Sequence, residues 1–272
     1  MVSLNFNLKG KTAVITGATG ILCSVIAKEL AKQEVKVALL GHGGDKARIL
    51  AEEIINEGGS AIYYNVDVLN KESLIEARDF ILKRYNNIDI LINGAGGNKK
   101  EATTSDELSF FDIDIEALEW VFNLNVMGAV LTTQVFGELF AKAKKGCVIN
   151  ISSMAAYHPL TKTIAYSGAK AAVSNFTEWM AVHFNQNYST KIRVNAVAPG
   201  FLLTNQNKFL MVQENGEPTE RGKKVLDKTP MSRYGEPEEI AGPVLWLCSD
   251  AASFVNGAVI PIDGGFSSYW GV

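Results

Sequence analysis

Short runs of apolar residues alternate along this chain with amphipathic stretches whose apolar positions recur every three or four residues. The apolar runs predict strands over residues 12–16, 36–40, 61–66, 88–93, 146–151, 192–197 and 258–261. The amphipathic stretches predict helices over 21–33, 46–57, 71–85, 116–143 and 238–248, with Ile49, Leu50 and Ile54 marking the apolar face of the second. A further helix, rich in alanine, carries Tyr166 and Lys170. Wholly apolar strands that alternate strictly with helices predict a parallel sheet covered on both faces. Right-handed crossovers then give an α/β fold, a doubly wound parallel sheet of the Rossmann type, with ligands bound beyond the carboxyl ends of the strands.

No internal repeat or linker-like tract divides the chain, so residues 1–272 are expected to form a single domain. Two connections break the rhythm. Residues 98–114 form a long polar link that is expected to line or cover a site. Residues 201–229 form a polar, helical-looking excursion containing Gly216 and Pro218, a candidate lid insertion.

Composition acts mainly by exclusion. The 272 residues are 47% hydrophobic and 20% charged with a net charge of −3, which gives no reason to expect nucleic acid or an anionic membrane as partner. Cys23, Cys147 and Cys248 are far apart and lack metal-ligand spacing, so they read as buried thiols of a reducing compartment and no metal site is expected. The first residues lack a basic-then-apolar signal pattern, and charges or glycines interrupt every apolar run before it reaches membrane-spanning length. A cytoplasmic protein is the expectation.

The unusual residues sit at the carboxyl ends of the strands. After the first comes Thr16-Gly17-Ala18-Thr19-Gly20-Ile21-Leu22-Cys23. Glycines at such a turn let a ligand approach the backbone, and the helix start beyond them offers free N–H groups to a pyrophosphate. A second glycine-dense strand end follows at Asn93-Gly94-Ala95-Gly96-Gly97-Asn98. In the alanine-rich helix Tyr166 and Lys170 stand at i and i+4, on one face. A lysine there is expected to lower the phenol's pKa, and a serine from the preceding strand end, Ser152 or Ser153, could hydrogen-bond the same reacting oxygen. Solvated pairing of Tyr166 with Lys170, and capping by either serine, are the plain alternatives.

Taken together and in order, these motifs resemble the short-chain dehydrogenase/reductase family over essentially the whole chain. The resemblance implies a nicotinamide cofactor along Gly17, Thr19, Gly20, Ile21 and Leu22, with Asp67 and Val68 beside the adenine. Asn93, Gly94, Ala95 and Gly96 fall on the family's N-N-A-G segment, and Pro199, Gly200, Leu202 and Thr204 on the stretch beside the nicotinamide carboxamide. Asn125, Ser153, Tyr166 and Lys170 fall on its catalytic four, with Tyr166 and Lys170 also touching cofactor. A homotetramer is implied as well. Three positions depart from the family: Ile21-Leu22-Cys23 stands where G-I-G is usual, Cys23 puts a side chain where helix and strand come close, and Gly94 replaces the second asparagine.

A narrower resemblance, to the D-mannonate oxidoreductase (fructuronate reductase) branch, rests on I-N-G-A-G-G-N, L-T-K-T-I-A-Y-S-G-A-K, A-P-G-F-L-L-T-N-Q-N and V-I-P-I-D-G-G-F-S-S-Y. It implies a sugar-acid substrate, whose carboxylate needs a cation or several N–H donors. Lys162 is the first candidate, with Asn98, Lys99, Asn205 and Asn207 behind it, and His158 a further possible contact beside Ser153. At the second strand's end Gly41 and His42 stand where a ribose-binding carboxylate is expected, with Lys46 and Arg48 nearby, which favours NADP slightly over NAD. The rival readings are a reductase of another keto acid or polyol such as 5-keto-gluconate, a 3-oxoacyl-carrier reductase, and a catalytically silent nicotinamide sensor.

Overall fold

The computed structural model describes residues 6–204 and 207–271. Its strands are β1 (Thr12–Thr16), β2 (Lys36–Gly41), β3 (Ser60–Asn65), β4 (Ile90–Asn93), β5 (Gly146–Ile151), β6 (Ile192–Pro199) and β7 (Val259–Ile262). All pair in parallel, in the order β3-β2-β1-β4-β5-β6-β7. The order reverses between β1 and β4, which leaves a crevice at their carboxyl ends.

The helices are α1 (Ile21–Lys32), α2 (Gly44–Asn56), α3 (Lys71–Tyr85), α4 (Ile115–Phe122), α5 (Gly128–Ala143), α6 (Ile164–Asn187), α7 (Lys208–Met211), α8 (Glu220–Asp227) and α9 (Ala241–Cys248). Alternate strand residues feed opposite layers. Ala13 and Ile15 join a core with Leu30 of α1, Ile54 of α2 and Val244 of α9, whereas Val14 joins Ile81 of α3, Phe136 of α5 and Phe184 of α6. Each layer is apolar because each strand is covered on both sides, as the uninterrupted runs anticipate.

Three expected elements are modified. Helix 46–57 begins earlier, because Gly43, at φ 91°, turns the chain directly into α2. Helix 238–248 opens as a 3₁₀ turn, Pro237–Ile240, with Glu239 reaching back to the Glu236 N–H. Helix 116–143 is interrupted by a π turn over Asn123–Met127.

The helical stretch Ile115–Ala143 is long and apolar enough, by length and composition, to cross a bilayer, contrary to the expectation that no run reaches that length. Half of its most apolar window is buried inside the fold, where α5 packs on β4 and β5, so its apolarity is that of a core helix. Beyond the carboxyl end of β6, the chain makes α7 and α8 before an isolated bridge between Leu202 and Gly235 joins the start of the excursion to its return.

Candidate active site

The turn from β1 into α1 is shaped by what it must clear. Gly17 holds φ +60°, and a Cβ there would lie 2.7 Å from the Gly94 carbonyl oxygen and 2.8 Å from Ala95. The Thr16 hydroxyl accepts the N–H groups of Gly94 (3.1 Å) and Ala95 (3.2 Å), tying the two glycine-rich strand ends together. Helix α1 starts at Gly20 with no side-chain cap and no acidic residue in its first turn, so its N–H groups and the positive end of its dipole stay open to an anion. Gly17, Thr19, Gly20 and Ile21 line this cradle and could hold the pyrophosphate of a dinucleotide. Leu22 instead leans into the core under the turn. Thr16 opens the glycine motif read in the sequence, but its hydroxyl serves the second strand end rather than a ligand.

Two departures from the family pattern explain each other here. A Cβ on Gly94 would lie 2.1 Å from Cys23 Sγ and 2.8 Å from the Thr16 carbonyl. The sulfur therefore occupies the room that a side chain at 94 would need, and the doubt raised by Cys23 over local geometry resolves into a complementary pair. Burial pushes the Cys23 thiol up to about 12, with Lys170 opposing, so at neutral pH it is an inert filler.

At the adenine end, His42 Nε2 lies 4.0 Å from Asp67 Oδ1, which also accepts the Leu69 N–H. Gly41 closes β2, and a Cβ there would find ordinary contact at 3.8 Å from Thr19 Oγ1. Arg48 is engaged on its own helix, by Glu52 at 2.7 Å and Asp45 at 3.9 Å. Two expected contacts point elsewhere. The Val68 side chain is buried against α5, where a Cβ on Gly128 would come within 3.0 Å of it. The Asn93 side chain lies between sheet and helices, donating to Thr133 Oγ1 (3.0 Å) and Asn150 Oδ1 (2.8 Å). Both side chains are therefore core groups, and only their backbone remains available to a ligand.

The candidate proton-transfer groups come from the end of β5, from α6 and from the π turn. The two serines ending β5 divide their work. Ser152 is bound to Ser174 Oγ (2.7 Å) and the Lys170 carbonyl (3.2 Å) on α6, whereas Ser153 faces Tyr166 while capping the Ala155 N–H. The Lys170 ammonium donates to the Ile151 carbonyl (2.8 Å) and lies 5.5 Å from the centre of the Tyr166 ring. A Cβ on Gly96 would lie 2.5 Å from Asn125 Oδ1 and 3.3 Å from Lys170 Nζ, so glycine lets this loop close over both.

The charge states differ from the expected ones. Burial pushes the Tyr166 phenol up, with the Ser153 hydroxyl opposing, so no net lowering by Lys170 is found. Burial brings Lys170 down from 10.5 to about 8, which weakens the cation expected to act on the phenol. Asn125 does open its helix, but its side chain is fully engaged. It donates to the Val121 (2.7 Å) and Gly97 (2.8 Å) carbonyls and accepts the Gly97 N–H (3.3 Å).

The substrate-side candidates scatter. Lys162 is exposed, and its carbonyl accepts the Thr104 N–H (3.0 Å), pinning the 98–114 link to the loop before α6. Asn98 donates to Thr103 (2.9 Å), and the Lys99 ammonium sits 4.2 Å over the Trp120 ring. Asn207 staples the Leu202 carbonyl to the Thr204 N–H, both at 2.8 Å, so it shapes the turn after Pro199 and Gly200 rather than reaching a ligand. Gly200 is obligatory there, since a Cβ would meet Asp263 at 2.5 Å. Asn205 lies outside the described residues. His158 Nε2 is 2.9 Å from the Ser267 carbonyl, which brings the tail of the chain against the site's wall. One group went unforeseen: the Thr163 hydroxyl, three residues before Tyr166, is buried without a hydrogen-bond partner.

A family model described as enoyl-(acyl carrier protein) reductase matches residues 17–267. The chain is 47% identical to an uncharacterized oxidoreductase, UxuB, of Bacillus subtilis (strain 168), with 100% of both chains covered. It is 48% identical to an uncharacterized oxidoreductase of Haemophilus influenzae, covering 100% of this chain and 98% of the relative. A crystal structure from Haemophilus influenza, provisionally described as a D-mannonate oxidoreductase with bound NAD, superposes with a TM-score of 0.93 at 48% identity over 98% of each chain. The chain thus belongs to the short-chain dehydrogenase/reductase family, and it is an NAD(P)-dependent oxidoreductase.

Proposed function

We propose that the protein interconverts a keto sugar acid and its hydroxy acid, D-fructuronate and D-mannonate first among them. The meeting of Ser153, Tyr166 and Lys170 at the ends of β5 and α6 carries this reading. The likeness to the NAD-bound structure described as a D-mannonate oxidoreductase supports the substrate class.

In this reading the bound nicotinamide supplies the hydride to the carbonyl carbon, or accepts it in reverse. Tyr166 gives its phenolic proton to the carbonyl oxygen as charge develops there, and a phenol held high by burial is protonated and ready at neutral pH. Ser153 donates a hydrogen bond to the same oxygen, a stabilisation on the order of 3 kcal/mol. Lys170, 5.5 Å from the centre of the Tyr166 ring, returns a proton to the phenolate. Lys162, on the rim, meets the carboxylate. Lys162→Ala should therefore raise KM for a uronate at least tenfold more than for an uncharged ketone, and equal effects would remove the carboxylate role.

NAD is our reading of the cofactor, against the slight preference for NADP taken from the sequence. No carboxylate at Gly41 repels a 2′-phosphate, but Arg48, the natural partner for one, is already paired. Residues 201–229 would act as a lid over the groove. A homotetramer would use the apolar groove between α5 and α6, where Trp179 stacks on His183.

Nicotinamide absorbance followed against D-fructuronate, D-mannonate, 5-keto-gluconate and a 3-oxoacyl thioester, with NAD(H) and NADP(H) in parallel, tests the whole reading. Fastest turnover of the fructuronate–mannonate pair is expected. Preference for the thioester would move the protein to the carrier-reductase rival, and no turnover of any substrate would favour a sensor.

A further inference from the structure

The proposed chemistry uses the carboxyl ends of the strands, yet two of the three thiols lie at the opposite end. Cys147 is the second residue of β5 and Cys248 the last of α9, each almost wholly buried. Both line a cavity of about 210 Å³ whose other walls include Lys11, Lys145, Lys191 and Arg193. Cys147 Sγ donates to the Leu247 carbonyl at 3.6 Å, one residue before Cys248, so both cysteines stand on one stretch of the cavity wall. Both are free thiols.

The two cations nearest the pair are fixed by the same turn. Lys11 Nζ reaches the Cys248 carbonyl (3.5 Å) and Asp250 (3.6 Å), and Arg193 donates to the Ser249 (3.1 Å) and Val255 (3.5 Å) carbonyls. Neither is needed by the groove on the far side of the sheet.

We propose that Cys147 and Cys248 form a two-thiol oxidation site, which a hydroperoxide entering this cavity converts to a disulfide. The Cys147 thiolate attacks the distal peroxide oxygen, the O–O bond breaks, and the products are a sulfenic acid and an alkoxide that takes up a proton. The Cys248 thiol then attacks the sulfenic sulfur, an S–S bond forms, and the hydroxyl leaves as water with the thiol's proton. Two thiols lose two electrons, and the hydroperoxide gains them.

The roles follow from the surroundings. The hydrogen bond from Cys248 holds Cys147 below the ordinary thiol value against its burial, with Arg193 and Lys11 adding to the effect. Cys248, as the donor in a buried pair, is held well above it. A thiolate beside cations with a neutral thiol in contact is the arrangement of an attacking and a resolving cysteine. Cys23 lies outside the cavity, is pushed up to about 12 by burial, and serves as an internal control.

The test treats the folded protein with hydrogen peroxide, denatures it in iodoacetamide and maps the peptides by mass spectrometry. The expected result is a Cys147–Cys248 linked peptide, reversed by dithiothreitol, with Cys23 still alkylated. In Cys248→Ser, which keeps a hydrogen-bond donor beside Cys147 but no resolving sulfur, oxidation should stop at a Cys147 sulfenic acid that dimedone traps. If Cys147 and Cys248 remain as alkylatable as in untreated protein, or if Cys23 oxidises at the same rate, the site does not exist. Should Cys248→Ser fail to fold, the linked peptide in the unsubstituted chain decides alone. Failure here leaves the sugar-acid reading untouched, because that reading is measured by turnover of fully reduced protein.

Discussion

Burial moves Tyr166 and Lys170 in opposite directions, and each shift has a measurable sign. A raised phenol keeps its proton at neutral pH, the form that ketone reduction needs, so reduction should hold its rate there while alcohol oxidation climbs toward alkaline pH. Parallel profiles in the two directions would contradict this. Tyr166→Phe should lower turnover by about 10³-fold while nicotinamide binding, read by fluorescence, stays within a factor of about two. For Lys170 the folded value is about 8 and the unfolded value 10.5, so between them the unfolded chain holds the extra proton. Stability relative to Lys170→Met should therefore rise with pH across that window, by about 3 kcal/mol, and a gap in urea midpoints that stays constant from pH 7 to 10 would refute it. Tyr166 and Lys170 were legible as a pair because their i and i+4 spacing puts them on one helix face, whereas Ser153 was separated from Ser152 only by family resemblance. Val68 and Asn93 were not legible, because the sequence does not say to which side of a strand end a side chain turns. Their neighbours Gly128, Thr133 and Asn150 decide that.

The strand–helix alternation was readable because each parallel strand is a short apolar run and each helix keeps one apolar face. Element ends were less so, since they depend on local bonds such as Asp89 accepting the Thr12 N–H at 2.8 Å. The π turn was announced only by an asparagine in a helical stretch, and its meaning lies in Gly97, which that asparagine holds on two sides. The packing of α1 against the β4 end is testable as a unit. Gly94→Ala should destabilise the fold by roughly 1–3 kcal/mol, as overpacking does. Adding Cys23→Gly should return part of that loss, although the Thr16 carbonyl still crowds the new methyl. Additive effects in the double-mutant cycle would mean that the two positions do not share this space.

For the whole molecule, both faces of the seven-stranded sheet are covered, yet Trp179 (57%), Val182 (55%) and Tyr188 (44%) on α6 remain exposed. The groove beside them, about 380 Å³ and lined by α5 and α6, would be covered in the proposed tetramer. Trp179→Glu should shift sedimentation toward smaller species, and an unchanged profile would exclude this face as the contact. An assembly could be expected only from family likeness, because outward apolar positions on α6 read in the sequence like core positions.

The tail has a practical consequence at the bench. Asp263 accepts the N–H groups of Gly265 (2.9 Å) and Ser267 (2.8 Å), Phe266 packs on Phe201 at 5.2 Å, and Trp270 meets His158 edge-on at 5.6 Å. This end is thereby anchored to the wall from which Tyr166 emerges, whereas β1 begins at the far rim of the parallel sheet. Purification handles fused behind Trp270 would drag on that anchorage and dull the enzyme. The same handles ahead of β1 leave the wall as it is, so recombinant material for kinetics is best tagged in front.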